Sequence, residues 1–163
     1  MTGEDGERAG QMAEQEEIAR DVIIVGGGAA GLSAALILAR SRRRVTVVDA
    51  GAPRNAPAQA VHGLLALDGL SPLELLKRGR DEVTRYGGEI IAAEVRDTSL
   101  TSLGFAVRMR DGAVLHARRL LIAAQVGAAA ADGARAAAHV NADLVAEDTD
   151  RAVARLLNAE AVR

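Results

Sequence analysis

No cysteine occurs among the 163 residues, so disulfides, dithiol redox chemistry and thiolate metal centres are excluded. Aromatic content is one tyrosine, Tyr86, and one phenylalanine, Phe105, too few to stack nucleic-acid bases. His62, His116 and His139 are the only histidines, and their separations match no ligand spacing, so no metal site is expected. Opposite charges nearly cancel to a net −2, which gives no general attraction to nucleic acid or anionic membranes. No apolar run reaches membrane-spanning length, and the first residues lack the basic and apolar regions of a secretory signal. A cytoplasmic location is the expectation that follows.

Residues 1–20 stand apart. Glu4, Asp5, Glu7, Glu14, Glu16 and Glu17 face only Arg8 and Arg20, with few apolar residues between them. This composition predicts a disordered acidic tail. The expected organisation is that tail, one domain over residues 21–158, and a frayed end over 159–163.

The densest signal follows the tail. An apolar run over residues 22–25 meets Gly26-Gly27-Gly28, then Ala29-Ala30-Gly31 and a helix-forming stretch. About twenty residues on, Val45-Thr46-Val47-Val48 ends in Asp49, the order of a dinucleotide-binding βαβ unit. Gly26 suits the tight turn out of the strand. Gly28 lets the backbone approach a pyrophosphate, and Gly31 lets the helix pack closely. The helix N-terminus would offer free N–H groups and the positive end of its dipole to phosphates. Asp49 would accept from ribose hydroxyls, and an acid there favours FAD or NAD over NADP. Arg42, Arg43 and Arg44 read as a solvated helix end rather than a phosphate clamp.

Farther on, residues 51–57 read as a loop. Ser71-Pro72-Leu73-Glu74 has a capping serine, a proline at the first helical position and a glutamate at the third. That helix should run to Tyr86 and stop at Gly87-Gly88. Residues 89–97 read as a strand. Residues 105–109 and 114–117 form a hairpin around Asp111-Gly112, and 120–123 read as a buried strand. Alanine dominates residues 126–145, which predicts a helix that residues 148–163 extend or fray.

With the glycine loop, Gly51-Ala52-Pro53-Arg54-Asn55, His62-Gly63, Asp68-Gly69 and Ser71-Pro72-Leu73-Glu74-Leu75-Leu76 in this order, the chain resembles the thioredoxin-reductase-like FAD-dependent oxidoreductases. Its likeness is to members without a redox cysteine pair, and it covers residues 21–123 and resumes at Gln125. The resemblance implies an α/β, Rossmann-like FAD-binding domain. Its sheet is mainly parallel, with helices on one face and a small antiparallel hairpin layer on the other. Gly26, Gly27, Gly28, Ala29, Ala30 and Gly31 would line the pyrophosphate, with Asp49 and Ala50 at the adenosine ribose. Arg54 and Asn55 would face the adenine or flavin, although Arg54 also reads as a solvated loop residue. Val95 would offer its backbone to the adenine edge and His62 would lie near the isoalloxazine. Ala123, Gln125 and Val126 would close the site at the start of the last helix.

Such proteins carry a nicotinamide-binding domain between the stretches matched by residues 21–123 and those after Gln125. Here Ile122-Ala123-Ala124 runs directly into Gln125. The implied function is a FAD-binding flavodomain without its own NAD(P)H domain, a minimal or engineered flavoprotein of weak oxidoreductase activity. It would depend on external NAD(P)H or a redox partner, and a homodimer would cover the apolar surface laid bare. Two alternatives stay open. One is a non-catalytic nucleotide-binding or assembly module. The other is a short NAD-binding Rossmann enzyme, for which no Tyr-x-x-x-Lys pair is present.

Overall fold

Six strands and three helices make up the computed structural model, which describes residues 20–52, 60–62, 66–123 and 130–161. In chain order they are β1 (Arg20–Val25), α1 (Ala29–Arg40), β2 (Val45–Asp49), α2 (Pro72–Arg85), β3 (Glu89–Ala92), β4 (Val95–Thr101), β5 (Gly104–Met109), β6 (Val114–Ile122) and α3 (Ala130–Ala161). One sheet contains all six strands, in the order β3-β2-β1-β6-β5-β4. The β3-β2-β1-β6 half is parallel, and β4 and β5 add antiparallel neighbours beyond β6.

The apolar runs of β1 and β2 are buried on both faces, as central parallel strands must be. Side chains alternate across a strand, so the two faces take different residues. Val22, Ile24, Val45 and Val47 join Leu32, Ala35 and Leu38 of α1, Leu76 and Val83 of α2, and Ala137 and Leu144 of α3. Ile23 and Val48 point the other way, onto Val107 and Met109 of the hairpin and Ala117 of β6. Each such side chain contributes about 1.5–3 kcal/mol through burial. Helices thus cover one face and the hairpin layer the other. The α/β Rossmann-like expectation holds, with the hairpin hydrogen-bonded into the same sheet through β6.

Two boundaries differ from expectation. The strand expected over 89–97 is two strands. β3 follows β2 as far as the pair Asp49–Ala92, and the Ala93 N–H then donates to the Asp49 carbonyl. The chain crosses there to the hairpin, with an irregular register between Val95 and Asp97. Conversely, the two strands expected over 114–117 and 120–123 are one. The first half of β6 pairs with β5, and its second half, Arg119 to Ile122, pairs with β1. The helix expected over 71–86 is α2, with Ser71 as its cap accepting from the Glu74 N–H at 3.1 Å. The alanine-rich helix runs on to Ala161, and residues 124–129 lie outside the described ones, as do residues 1–19 and 53–59.

Two devices fix α3. At Gly133 its backbone lies against Ala30 of α1, so closely that an added Cβ would strike the Ala30 carbonyl oxygen. Lower down, charges take over. Buried Arg118 reaches Asp21 at 3.2 Å, Asp148 at 2.6 Å and Glu147 at 3.3 Å. Arg43 holds the other oxygen of Asp148 at 2.7 Å, and Arg44 pairs with Asp21 at 3.3 Å. Arg119 pairs with Asp143 and Glu147. The expectation of a solvated arginine run at 42–44 is therefore corrected for Arg43, whose side chain is mostly covered, while Arg44 pairs with Asp21 but stays largely exposed. Arg43 and Arg44 turn back to carboxylates of α3 and β1, because the end of α1 lies beside both.

Burial pushes the Asp21 carboxyl up, but hydrogen bonds from Arg44 and Arg118 outweigh it and hold the group below its ordinary value of 3.8. Half-buried Asp148 is held low by Arg43 and Arg118. Carboxylates depressed on folding stabilise the protein above their unfolded pKa and lose that contribution as pH falls through the folded one. Thermal melts should therefore drop as pH falls below about 3.8. Arg118→Met should cost about 2 kcal/mol in denaturant titrations at neutral pH. That is less than for a fully stripped buried pair, because Arg44 and Arg43 still hold Asp21 and Asp148. A variant as stable as the unsubstituted protein would show that the network contributes nothing.

Candidate functional site

Where β1 ends, the Gly26 N–H donates to the Val48 carbonyl at 2.9 Å, and the chain turns with Gly26 at φ +109°. That conformation is open to glycine and strained for other residues. Gly28 then caps α1 with an extended backbone and no side-chain hydrogen bond, and no acid occupies the first turn. The Leu32 N–H is the first to bond back, to the Gly28 carbonyl. The N–H groups ahead of it have no intrahelical acceptor, as at any helix start.

The three remaining glycines of this loop differ in what a side chain would meet. A Cβ at Gly31 would strike the Gly26 carbonyl oxygen, with the Ala123 methyl 3.3 Å away. A Cβ at Gly27 would strike the Asp49 carboxylate. A Cβ at Gly28 would meet nothing within 4 Å among the described residues. Gly27 and Gly31 are thus demanded by the protein's own packing. Gly28 is not, and faces open space above the bare helix end.

Asp49, at the end of β2, sits beside this loop. The Gly51 N–H donates to its Oδ1 at 3.2 Å, and Arg80 of α2 donates from Nη2 to its Oδ2 at 2.6 Å. Burial pushes the carboxyl up, but Arg80 and the Gly51 and Gly27 N–H groups more than offset this and hold it below 3.8. It is ionised at neutral pH, as a ribose acceptor must be. Arg80 went unnoticed in the sequence because an arginine on an amphipathic helix that also carries Lys77, Arg78 and Arg85 has nothing to mark it.

The other expected residues divide. Ala123 lies with the loop, its N–H donating to the Val25 carbonyl at 2.8 Å, and Ala50 is exposed next to Asp49. Val95 packs on the hairpin-side core with Val48 and Met109. His62 pairs with Asp68 at 3.5 Å and is 73% exposed, with no hydrogen bond to the glycine loop among the described residues. Arg54, Asn55, Gln125 and Val126 lie outside the described residues. At the opposite end of the sheet, a cleft of about 580 Å³ is lined by Arg44, Arg118, Arg119, Arg151 and Arg155. Carboxylates already hold the first four, so it offers little free charge.

A glycine turn, a bare helix start and an ionised acid at the next strand end define a Rossmann-type dinucleotide-binding domain. Residues 21–85 match the FAD binding domain family. The chain is 35% identical over 114 residues to the thioredoxin reductase tcpT of Claviceps purpurea, covering 65% of this chain and 34% of that protein. Among solved structures, HlmI superposes with TM-score 0.61 at 48% identity, over 64% of this chain and 34% of HlmI. A putative thioredoxin reductase TrxB from Bacillus anthracis superposes with TM-score 0.61 at 32% identity, over 64% and 36%. Over this stretch the chain is similar to part of the FAD-binding domain of thioredoxin-reductase-like oxidoreductases, and the cofactor that the matched family indicates is FAD. It spans about a third of the length of these relatives. No helix of the described residues is long and apolar enough to cross a membrane.

The glycines give a clean contrast. Gly31→Val should prevent folding or lower the melting temperature severely, because it drives a side chain into the backbone of β1's exit. Gly28→Val, at φ −76° with free space around it, should melt like the unsubstituted protein when no nucleotide is added. Equal melting temperatures for the two variants would refute this division.

Proposed function

We propose that this chain is a flavodomain that holds FAD through the glycine loop and Asp49. Its oxidoreductase chemistry would draw electrons from an external NAD(P)H or a redox partner. The observation that carries the reading is the uncapped start of α1, aimed over Gly28 into open space, with the ionised Asp49 beside it. The residues fit the cofactor's two ends of charge. The N–H groups of Ala29, Ala30 and Gly31 and the helix dipole suit the pyrophosphate, and the Asp49 carboxylate suits the adenosine ribose hydroxyls. Bound flavin would supply the electron chemistry, and the chain supplies binding, orientation and the local field. The family resemblance would add Gln125 and Val126 at the flavin end, and Arg54, Asn55, His62 and Val95 on the adenine and flavin side.

A cytoplasmic homodimer completes the proposal. Ile122, Leu100, Val153 and Leu157 are between about half and three-quarters exposed, which supports a second copy covering part of this surface. The thioredoxin reductases among its relatives motivate a dithiol-linked ancestry. With no cysteine among these 163 residues, any such chemistry would reside outside them.

The purified protein should be yellow, with a flavin band at about 450 nm. Gly28→Val should fold but emerge colourless, since a side chain there would stand where the pyrophosphate lies. Asp49→Asn should weaken FAD binding by about 2 kcal/mol, measured by quenching of flavin fluorescence. A colourless protein that binds NAD in calorimetry would replace this reading with a short NAD-binding enzyme. A Gly28→Val protein with full flavin occupancy would remove the loop from the site.

A further inference from the structure

The contact between Asp49 and Arg80 joins the second strand of the βαβ unit to a helix that lies outside it. Arg80 sits on α2, a third exposed, and its Nη2 approaches Asp49 Oδ2 at 2.6 Å. The carboxylate has about four acceptor directions. Arg80, the Gly27 N–H and the Gly51 N–H occupy three of them. Of the two backbone donors, Gly27 lies in the loop after β1 and Gly51 in the turn just past the acid. Arg80 is the one partner that reaches it from across the helix face, and the only charged side chain that faces it among the described residues.

We propose that Arg80 is a positioning residue for the cofactor site, fixing the Asp49 carboxylate in the rotamer that keeps one acceptor direction open for a ribose hydroxyl. This rests on the FAD reading above and adds to it a residue outside the glycine motif. The geometry also explains why Gly27 must lack a side chain. The carboxylate held by Arg80 occupies the space where a Cβ at position 27 would be. A lysine at position 80 would keep the charge but not the planar fork that fixes direction as well as distance.

The test is a double-mutant cycle read by FAD affinity, with melting of the FAD-free proteins to confirm folding. Arg80→Met should weaken FAD binding about tenfold, the equivalent of about 1.4 kcal/mol, and Arg80→Lys should recover part of it. Because Arg80 favours the charged carboxylate, the Arg80→Met protein should begin to lose affinity at a higher pH than the unsubstituted protein when titrated from pH 7 to pH 3.5. In an Asp49→Asn background, Arg80→Met should cause no further loss. A tenfold loss that persists in that background, or an unshifted pH profile, would overturn the proposal. If Arg80→Met does not fold, Arg80→Gln, also neutral, carries the same comparisons. Failure of the unsubstituted protein to bind FAD would remove the functional reading itself. FAD binding that weakens in Asp49→Asn but not in Arg80→Met removes only the role of Arg80.

Discussion

β1 has no face turned to water, and everything else in the structure is arranged around that fact. Val22 and Ile24 need cover from the helices, and Ile23 needs cover from the hairpin. The strand also needs a partner along each edge, which β2 and β6 provide. Its two ends are then set in opposite chemical surroundings. At one end the backbone turns through glycines toward a bare helix start. At the other, Asp21 enters a cluster of guanidinium groups. A strand so enclosed cannot slide by one residue without reversing every buried side chain, so both ends hold their place.

The charge cluster and the cofactor loop make opposite uses of polar groups. At the foot, Asp21, Arg43, Arg44, Arg118, Arg119, Glu147 and Asp148 pair with one another and leave Arg118 Nε as the buried side-chain donor without a partner among the described residues. At the loop, the donors of the first helical turn have no side-chain acceptor. Unmatched donors are costly when buried and useful when a ligand supplies the missing acceptor. Asp49 stands between these cases, largely satisfied by Arg80 and backbone N–H groups yet with capacity left over.

What could be read from the residues was what depends on neighbours in sequence. The glycine turn, the α1 start, Asp49 at its strand end and the Ser71 cap are all local patterns, and each is present in the fold. The βαβ start and the hairpin followed from the order of such patterns, and the mainly parallel sheet that joins them followed from the family resemblance. Contacts across long separations left no trace. Arg80 reaching Asp49 and Arg118 reaching Asp21 each involve an arginine that looks, in sequence, like any other solvated one. The split of residues 89–97 depends on where β2 ends rather than on anything within the segment. The strand expected over 114–117 and the one expected after it are continuous, with Arg118 and Arg119 at the join paired to carboxylates on α3.

The pairing of β1 with β6 also sets an order of events. Arg20 lies opposite Ala117 and Val25 opposite Ile122, so strands almost a hundred residues apart in the chain are side by side. As the polypeptide leaves the ribosome, the first strand, its helix and the second strand emerge early and can associate. One edge of β1 then waits, its amides and carbonyls unsatisfied, through the synthesis of α2 and the whole hairpin. Long-range pairings of this kind are slow to form and leave a strand edge available to other chains in the interval. The βαβ unit that carries the nucleotide loop is therefore made before β6 and sealed only when β6 arrives.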